Sequence, residues 1–375
     1  MTLILGLILL VYVLTIGHLI YGFDQIATYK NTDTTPKTYF AIVVPFRNES
    51  MNLQHLLESI KKLNYPKTMF EIILVDDFSE DDSVRQIYNW RMQNGKFHTT
   101  LLENVRISNS PKKDAITRAI PIIKNEWIIT TDADCVVPEN WLLTIDNYIQ
   151  SHDVAMIVGA VSYNGKKSFL HHFQQLDLLS LQGATIGSFG LGLGFMCNGA
   201  NFYYTKSLFQ ELNGFTGNTK IASGDDVFLV QKAMESQNFG PKKVHYLKSK
   251  SNIVHTKPLN SWKSLFFQRV RWASKTSSYQ SVFGKDLALI VFAGNLAIIV
   301  GFILLLAQKI ESDYFALLFL VKFVFDFIFL KKTNSFFSKK RMPFLILSSF
   351  LYPFFCVSVA LFSFFGKYEW KGRQF

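Results

Sequence analysis

Thr131-Asp132-Ala133-Asp134-Cys135 is the stretch of this sequence with the clearest chemical potential. It follows the apolar run Trp127-Ile128-Ile129-Thr130, which predicts a buried strand, and Pro138 stops any continuation. Two carboxylates one residue apart at a strand end can both turn toward one divalent cation. A hard cation held by one or two carboxylates, with phosphate oxygens completing its shell, is the usual Mg²⁺ or Mn²⁺ arrangement. Such pairs are also common as solvated turns, so the meaning of this one depends on its company.

That company lies on both sides. Lys112-Lys113 opens a predicted helix from Asp114 to Ile123. It is either a solvated basic turn or a lysine placed to meet a diphosphate near a helix N-terminus. Ser223-Gly224-Asp225-Asp226 opens another helix, Val227 to Ser236, where an acidic pair can cap the helix or do chemistry. Cys197-Asn198-Gly199-Ala200-Asn201 offers small residues that let a ligand approach the backbone closely. Gln268-Arg269-Val270-Arg271-Trp272 has helical spacing that puts Gln268, Arg271 and Trp272 on one face. It reads either as a juxtamembrane basic and aromatic belt, or as an arginine for phosphate and a tryptophan for stacking.

The elements that must position these residues follow from the hydrophobic pattern. Tyr39 to Val44 is a continuous apolar, β-branched run suited to a strand buried on both faces, ended by Pro45. The loop Phe46-Arg47-Asn48-Glu49-Ser50 leads to a helix from Asn52 to Leu63. A second strand, Glu71 to Val75, runs into Asp76-Asp77-Phe78-Ser79 and a helix from Ser83 to Gln93, with a third strand at Thr99 to Leu102. Asp153 to Val161 predicts one further strand. This alternation implies an α/β fold with a doubly wound, mostly parallel sheet. Pro45–Asn48, Asp76–Asp77 and Asp132–Asp134 then fall at strand ends, where such sheets bind ligands. Residues 168–182 are amphipathic and belong either to the core or to a membrane surface, and Gly183 to Gly194 reads as a flexible glycine-rich stretch.

Composition sets the frame. The chain has 375 residues, 49% hydrophobic with 36 phenylalanines, yet its charges are segregated into the middle. The expected organisation is an N-terminal transmembrane helix (1–24), a soluble-like domain (30–280), about three apolar segments within 285–366, and a short basic tail (367–375). The apolar segments fall near 287–307, 313–330 and 343–366. The second contains Lys322 and Asp326, one helical turn apart and able to pair, and the third contains Pro353 and either spans once or dips and returns. Lys331, Lys332, Lys339, Lys340 and Arg341 mark a cytoplasmic loop. Lys30 and Lys37 beyond the first helix place the middle domain in the cytoplasm by the positive-inside rule, and no cleavage signature marks that helix as a leader.

The net charge of +11 fits membrane anchoring and attraction to anionic lipids or phosphorylated substrates. Lysines and arginines do not form one stripe with interleaved aromatics, which argues against a nucleic-acid partner. Three widely spaced cysteines, Cys135, Cys197 and Cys356, suggest neither a disulfide framework nor a zinc site. A bacterial plasma membrane is the expected location.

Taken in order, Val44-Pro45-Phe46-Arg47-Asn48-Glu49, Val75-Asp76-Asp77-Phe78-Ser79, Lys112-Lys113, Asp132-Ala133-Asp134, Gly224-Asp225-Asp226 and Gln268-x-x-Arg271-Trp272 resemble the membrane-bound family 2 glycosyltransferases of GT-A fold. The resemblance covers about residues 38–275, and the closing Glu369-Trp370-Lys371-Gly372-Arg373 is similar to the tail of enzymes that glycosylate lipids. It implies that Pro45, Arg47, Asn48, Glu49, Asp76 and Asp77 hold the nucleoside of a nucleotide sugar, commonly a UDP-sugar. It implies Mg²⁺ or Mn²⁺ on Asp132 and Asp134, with His255 either a third ligand or a structural histidine. Lys112, Lys113, Gln268 and Arg271 would serve the diphosphate, and Trp272 and Asn198 the acceptor. Asp226 would be the general base of an inverting transfer, although the motif reads Asp225-Asp226 where many relatives have Glu-Asp, which leaves Asp225 open as the base. The acceptor would be a lipid-linked or membrane-associated glycan or lipid. The rivals are a processive polysaccharide synthase and a non-catalytic nucleotide-sugar-binding membrane protein.

Overall fold

A computed structural model of the chain describes residues 2–32, 34–165, 168–219, 221, 223–338, 341–365, 369–370 and 373–374. Lys339 and Lys340 of the expected basic loop, and Lys367, Lys371 and Gly372 of the tail, lie outside the described residues. The chain forms two compact units, one of Ala27–Asn164 and Gly194–Lys257, the other of Met1–Ile26, Gly165–Leu193 and Pro258–Phe375.

The helices are α1 (Thr2–Gln25), α2 (Leu53–Lys61), α3 (Ser83–Gln93), α4 (Pro111–Ala119), α5 (Trp141–Ser151), α6 (Phe169–Gly190), α7 (Lys206–Glu211), α8 (Asp225–Glu235), α9 (Gly240–Lys243), α10 (Trp262–Ala273), α11 (Val282–Leu306), α12 (Ser312–Phe337) and α13 (Leu345–Phe365). The strands that matter here are β1 (Phe40–Phe46), β2 (Phe70–Asp76), β3 (His98–Glu103), β4 (Trp127–Thr130), β5 (Cys135–Val136), β6 (Met156–Gly159), β7 (Val161–Tyr163), β8 (Phe202–Thr205), β9 (Val244–Leu247) and β10 (Val254–Thr256).

In the first unit a seven-stranded sheet runs β3-β2-β1-β4-β8-β6-β9. β1, β2, β3 and β4 are mutually parallel, β8 is antiparallel to both neighbours, and β9 is parallel to β6. Phe40 to Val44 and Ile72 to Val75 are fully buried, as continuous apolar strands covered on both faces must be. Pro45 does not end β1; it sits opposite Val75 inside it. The reason is register. Val43 accepts from Thr131 N–H on the β4 side, so Pro45 faces the same side, one step beyond the end of β4, where no ladder bond is forfeited.

The expected single strand at Asp153–Val161 is divided at Ala160. β6 stays in the large sheet, while β7 joins a three-stranded sheet ordered β5-β10-β7. A Cβ at Gly159 would meet Asn201 Nδ2 at 2.4 Å, so glycine is required at this crossover. Asn201 is the hub of a buried polar network. It accepts from Trp141 Nε1 at 2.9 Å and donates to the carbonyls of Ala160 and Asn252, both at 2.7 Å, and Tyr203 Oη also donates to it. Every partner is satisfied, which turns a costly set of buried polar groups into a lock on the Asn198–Asn201 turn.

In the second unit, among the described residues, three helices are long and apolar enough to cross a membrane: Thr2–Gln25, Val282–Leu306 and Leu345–Phe364. α13 continues through Pro353 as one helix. In α12 the expected pair forms, with Lys322 Nζ 2.6 Å from Asp326 Oδ2, and Tyr12 Oη of α1 donates to Asp326 Oδ1 at 2.6 Å. The amphipathic stretch at 168–182 is part of α6, which packs on α1 and α12. The glycine-rich stretch at Gly183–Gly194 is not a flexible loop; it is helical to Gly190. Its glycines admit the α1 backbone: a Cβ at Gly187 would lie 2.5 Å from the Leu19 carbonyl oxygen, and one at Gly190 would lie 1.8 Å from that of Gly22. Small residues one helical turn apart are what close helix packing in lipid requires.

Candidate active site

β1, β2 and β4 end side by side, with Phe46 in register with Asp76 and Val43 with Thr130, so Asp76, Asp77 and Asp132 all emerge at one sheet edge. Asp132 follows β4 within two residues, and Asp134 precedes β5. Oxygen atoms of Asp132 and Asp134 and the Cys135 sulfur lie within 4.8 Å of one another. Cys135 is buried, and that burial, together with Asp134 and Asp132, pushes its thiol well above its ordinary range. The two carboxylates of this cluster are hard oxygen donors, which suit an oxygen-seeking cation.

His255 is not part of this cluster. The β5–β10 register sets it opposite Val136, with Thr256 opposite Cys135. Burial pushes its imidazole below the ordinary range, and among the described residues its buried Nδ1 has no hydrogen-bond partner. The structure gathers two of the three expected ligands.

Lys112, in the first turn of α4, ties the first acidic motif, Asp132/Asp134, to the second, Asp225/Asp226. Its Nζ lies 2.7 Å from Asp132 Oδ1 and 3.1 Å from Asp225 Oδ2. Burial opposes its charge, but Asp132, Asp225 and Asp226 outweigh burial and raise the ammonium well above its usual range. For Asp225, burial raises the carboxyl above its ordinary value; Lys112 pulls it down, and Asp226 and Asp132 push it further up. Asp225 is therefore buried and ion-paired, whereas Asp226 is only half-buried. Asp226 Oδ2 accepts from Gly199 N–H and Oδ1 from Val227 N–H, both at 2.7 Å. The acidic pair occupies the first turn of α8, not its cap; Gly224 is the cap, with φ +86°. Gly199 is equally constrained, since a Cβ there would meet Lys112 Nζ at 3.0 Å and Asp225 Oδ2 at 3.2 Å. Asn198 caps the same turn, its Oδ1 accepting from Ala200 N–H at 3.0 Å.

Several residues expected on a nucleotide also make hydrogen bonds within the protein. Arg47 Nη1 donates to the carbonyls of Asp77 (2.9 Å) and Phe78 (2.6 Å), and Nη2 pairs with Glu80 at 3.1 Å. Asn48 N–H donates to Ser79 Oγ at 3.0 Å, and its Oδ1 accepts from Glu80 N–H at 2.8 Å. Glu49 N–H donates to Ser83 Oγ, and its carboxylate accepts from Asn52. These three residues staple the loop after β1 to the loop after β2. Lys113 is 1% exposed, and its Nζ donates to the carbonyls of Asn218 (2.7 Å) and Ile221 (3.0 Å), away from Lys112. Adjacent helical positions point about 100° apart, so only one lysine of the pair can face the carboxylates.

Three groups were missed by sequence reasoning. Asn104 and Arg106 follow β3 and bind the buried Asp77, at 2.8 Å from Asn104 Nδ2 and 2.9 Å from Arg106 Nε. Arg106 also lies 5.1 Å from the centroid of the exposed Phe78 ring. Polar residues one and three positions beyond a third parallel strand were the available signal. Asp81 accepts from Ser50 N–H at 2.9 Å and Ser83 N–H at 3.0 Å, a second staple between the loops.

The model of the glycosyl transferase family 2 matches residues 41–213. This stretch is therefore similar to a family 2 glycosyltransferase domain. The match includes the loops after β1 and β2, Lys112 and the Asp132/Asp134 motif; Asp225, Asp226, His255 and the Gln268–Trp272 motif lie beyond it. Poly(ribitol-phosphate) beta-N-acetylglucosaminyltransferase TarS of Staphylococcus aureus is 28% identical over 120 residues, 32% of this chain and 20% of that protein. Poly-beta-1,6-N-acetyl-D-glucosamine synthase of the same species is 26% identical over 137 residues, 36% of this chain and 32% of that protein. The chain thus matches only a fifth to a third of the length of these relatives. The solved mannosyltransferase PcManGT from Pyrobaculum calidifontis, in complex with GDP-Man and Mn²⁺, has a TM-score of 0.60 over 96% of this chain and 99% of that chain at 15% identity, which establishes the GT-A fold.

In the second unit, Gln268, Arg271 and Trp272 stand on α10, each partly exposed. Arg269, between them, is buried and pairs with Asp177.

Proposed function

We propose that the protein is an integral-membrane, metal-dependent, inverting glycosyltransferase that moves a sugar from a nucleotide sugar to a lipid-linked or membrane-associated acceptor. The observation that carries this reading is Lys112, which joins the Asp132 and Asp225 carboxylates at the strand ends of a family 2 domain. Asp132 and Asp134 would hold Mg²⁺ or Mn²⁺, which supplies charge neutralisation for the departing nucleoside diphosphate. Lys112 adds a fixed positive charge on the same side. Asp77, with Arg106 and the exposed Phe78 beside it, is the proposed nucleobase end. Asp226 is the proposed base: it takes the acceptor hydroxyl proton as the acceptor oxygen bonds to the anomeric carbon and the phosphate oxygen leaves. Its two backbone donors fix its orientation and leave carboxylate lone pairs for the proton. Asp225, paired with Lys112, sets the field around it. The motif order supports Arg271 for the diphosphate and Gln268 and Trp272 for donor and acceptor. UDP is the proposed nucleotide and a bacterial plasma membrane the proposed location, with the catalytic unit cytoplasmic.

A second reading, processive synthesis of a polysaccharide, is favoured by the likeness to the poly-N-acetylglucosamine synthase. Membranes bearing the protein would be incubated with Mn²⁺ or Mg²⁺ and a panel of labelled nucleotide sugars, with Asp226→Asn membranes as control. Label in organic solvent, dependent on Asp226, supports glycolipid synthesis and names the donor. Label in high-mass material supports the polymerase. No donor giving an Asp226-dependent signal leaves a non-catalytic sugar-nucleotide binder as the better description. Asp134→Ala should abolish transfer in folded, inserted protein; normal transfer by that variant would sink the metal assignment.

A further inference from the structure

We propose that Asp177 is a positioning residue for the Gln268-Arg269-Val270-Arg271-Trp272 motif, acting through Arg269. The inference rests on the reading above that this motif serves transfer. Asp177 lies in α6 and Arg269 in α10, and each is 5% exposed. Arg269 Nε donates to Asp177 Oδ2 at 2.5 Å, and Tyr352 Oη of α13 donates to Asp177 Oδ1 at 3.2 Å. The guanidinium also contacts the motif itself. Its Nη1 donates to Gln268 Oε1, and its Cζ stands 4.1 Å from the centroid of the Trp272 ring.

A guanidinium is rigid and planar, so fixing one edge fixes the direction of every other donor and of its faces. Asp177 holds the Nε edge, and Tyr352 holds Asp177. The plane so defined places the cation on the Trp272 ring and a donor on Gln268, which sets the rotamers of two of the three partly exposed motif side chains. Meanwhile Val270 packs with Val359 and Phe355 of α13 and keeps the helix itself in place. A pair that merely glued α6 to α10 would affect stability and leave the Trp272 environment untouched. The arrangement seen here makes the Asp177 charge felt at Trp272.

Asp177→Asn preserves volume and removes the charge. In the full-length protein in nanodiscs, Trp272 emission is isolated as the difference between each protein and its Trp272→Phe counterpart. The expected result is an altered difference spectrum together with a loss in kcat/KM for transfer of about 10- to 100-fold, the scale of a misplaced reacting group. The Asp177→Asn/Trp272→Phe double variant should lose less than the product of the two single losses. An unchanged difference spectrum, or losses that multiply fully, overturns the proposal. Should Asp177→Asn not fold, Tyr352→Phe, which removes one hydrogen bond from the same carboxylate and keeps the ion pair, is read by the same spectrum. Absence of transfer by the wild-type protein with every donor would defeat the functional reading instead, while the spectrum would still decide whether Asp177 controls Trp272.

Discussion

The Lys112 ammonium lies 3.1 Å from Asp225 Oδ2. Because the same nitrogen is 2.7 Å from Asp132, one lysine couples the Asp132/Asp134 pair to the Asp225/Asp226 pair. Lys112→Met should leave two carboxylates facing each other without compensation. Transfer should fall by roughly 100-fold, the scale of losing one preorganised electrostatic contact. Asp132, Asp225 and Asp226 hold the lysine's proton well above its usual value, so its stabilising charge is complete at neutral pH and is lost only as pH rises through that raised value. The wild-type minus variant stability difference, measured by thermal unfolding, should therefore be flat from neutral to mildly alkaline pH. A variant with wild-type kcat/KM would show that the lysine serves structure alone.

Asp225 and Asp226 should separate in kinetics. Asp226→Asn is expected to lower kcat by 10² to 10⁴ while Mn²⁺-dependent donor binding persists, the signature of a lost base. Asp225→Asn leaves Lys112 short of one partner and should weaken donor binding as well as turnover. Equilibrium binding of labelled donor, set beside single-turnover rates, distinguishes the two; the reverse pattern would move the base to Asp225.

The α1–α6 crossing predicts opposite outcomes for two helical glycines. A side chain at Gly190 meets backbone oxygen at 1.8 Å, and backbone cannot step aside as a flexible side chain can. Gly190→Leu should destabilise the second unit by about 3 kcal/mol or more. Gly17 in α1 has nothing within 4 Å of its would-be Cβ, and Gly17→Ala should be neutral or stabilising by up to about 1 kcal/mol. Unfolding in detergent followed by circular dichroism tests both.

Asp81 carries an acid-range prediction. Burial works to raise its carboxyl, but hydrogen bonds from Ser83 and Ser50 outweigh burial and bring it down to about 2 from 3.8. A depressed carboxylate stabilises the folded state above its unfolded value and loses that contribution as pH falls through the folded one. The stability difference between wild type and Asp81→Asn should be constant above about pH 5 and shrink toward pH 2. Asp81 is exposed, so the difference should be about 1 kcal/mol or less. A difference that grows on acidification would contradict the two-donor account.

The strand ends show how far local pattern reaches. β1, β2 and β4 are apolar runs of strand length, each followed by loop or acidic residues, and period and composition suffice to find them. With a parallel sheet implied, Asp76, Asp77 and Asp132 had to meet at one edge. Lys322 and Asp326 were legible for the same reason: a four-residue spacing on a helix is a local distance.

What the sequence determined by itself was therefore the local part: strands, helices, their carboxyl ends and the motif order along the chain. Only tertiary structure decided which polar groups spend their hydrogen bonds on each other. Arg47, Asn48 and Glu49 turn to the neighbouring loop, Lys113 turns to carbonyls 105 and 108 residues away, and Asp77 is taken by Arg106. Buried donors and acceptors must be satisfied by whatever the fold brings near, and that partner is unrelated to sequence distance. Helix Phe169–Gly190 shows the same limit for apolar contacts. Its glycines suggest flexibility when read alone, and become packing residues only where the backbone of Thr2–Gln25 lies against them.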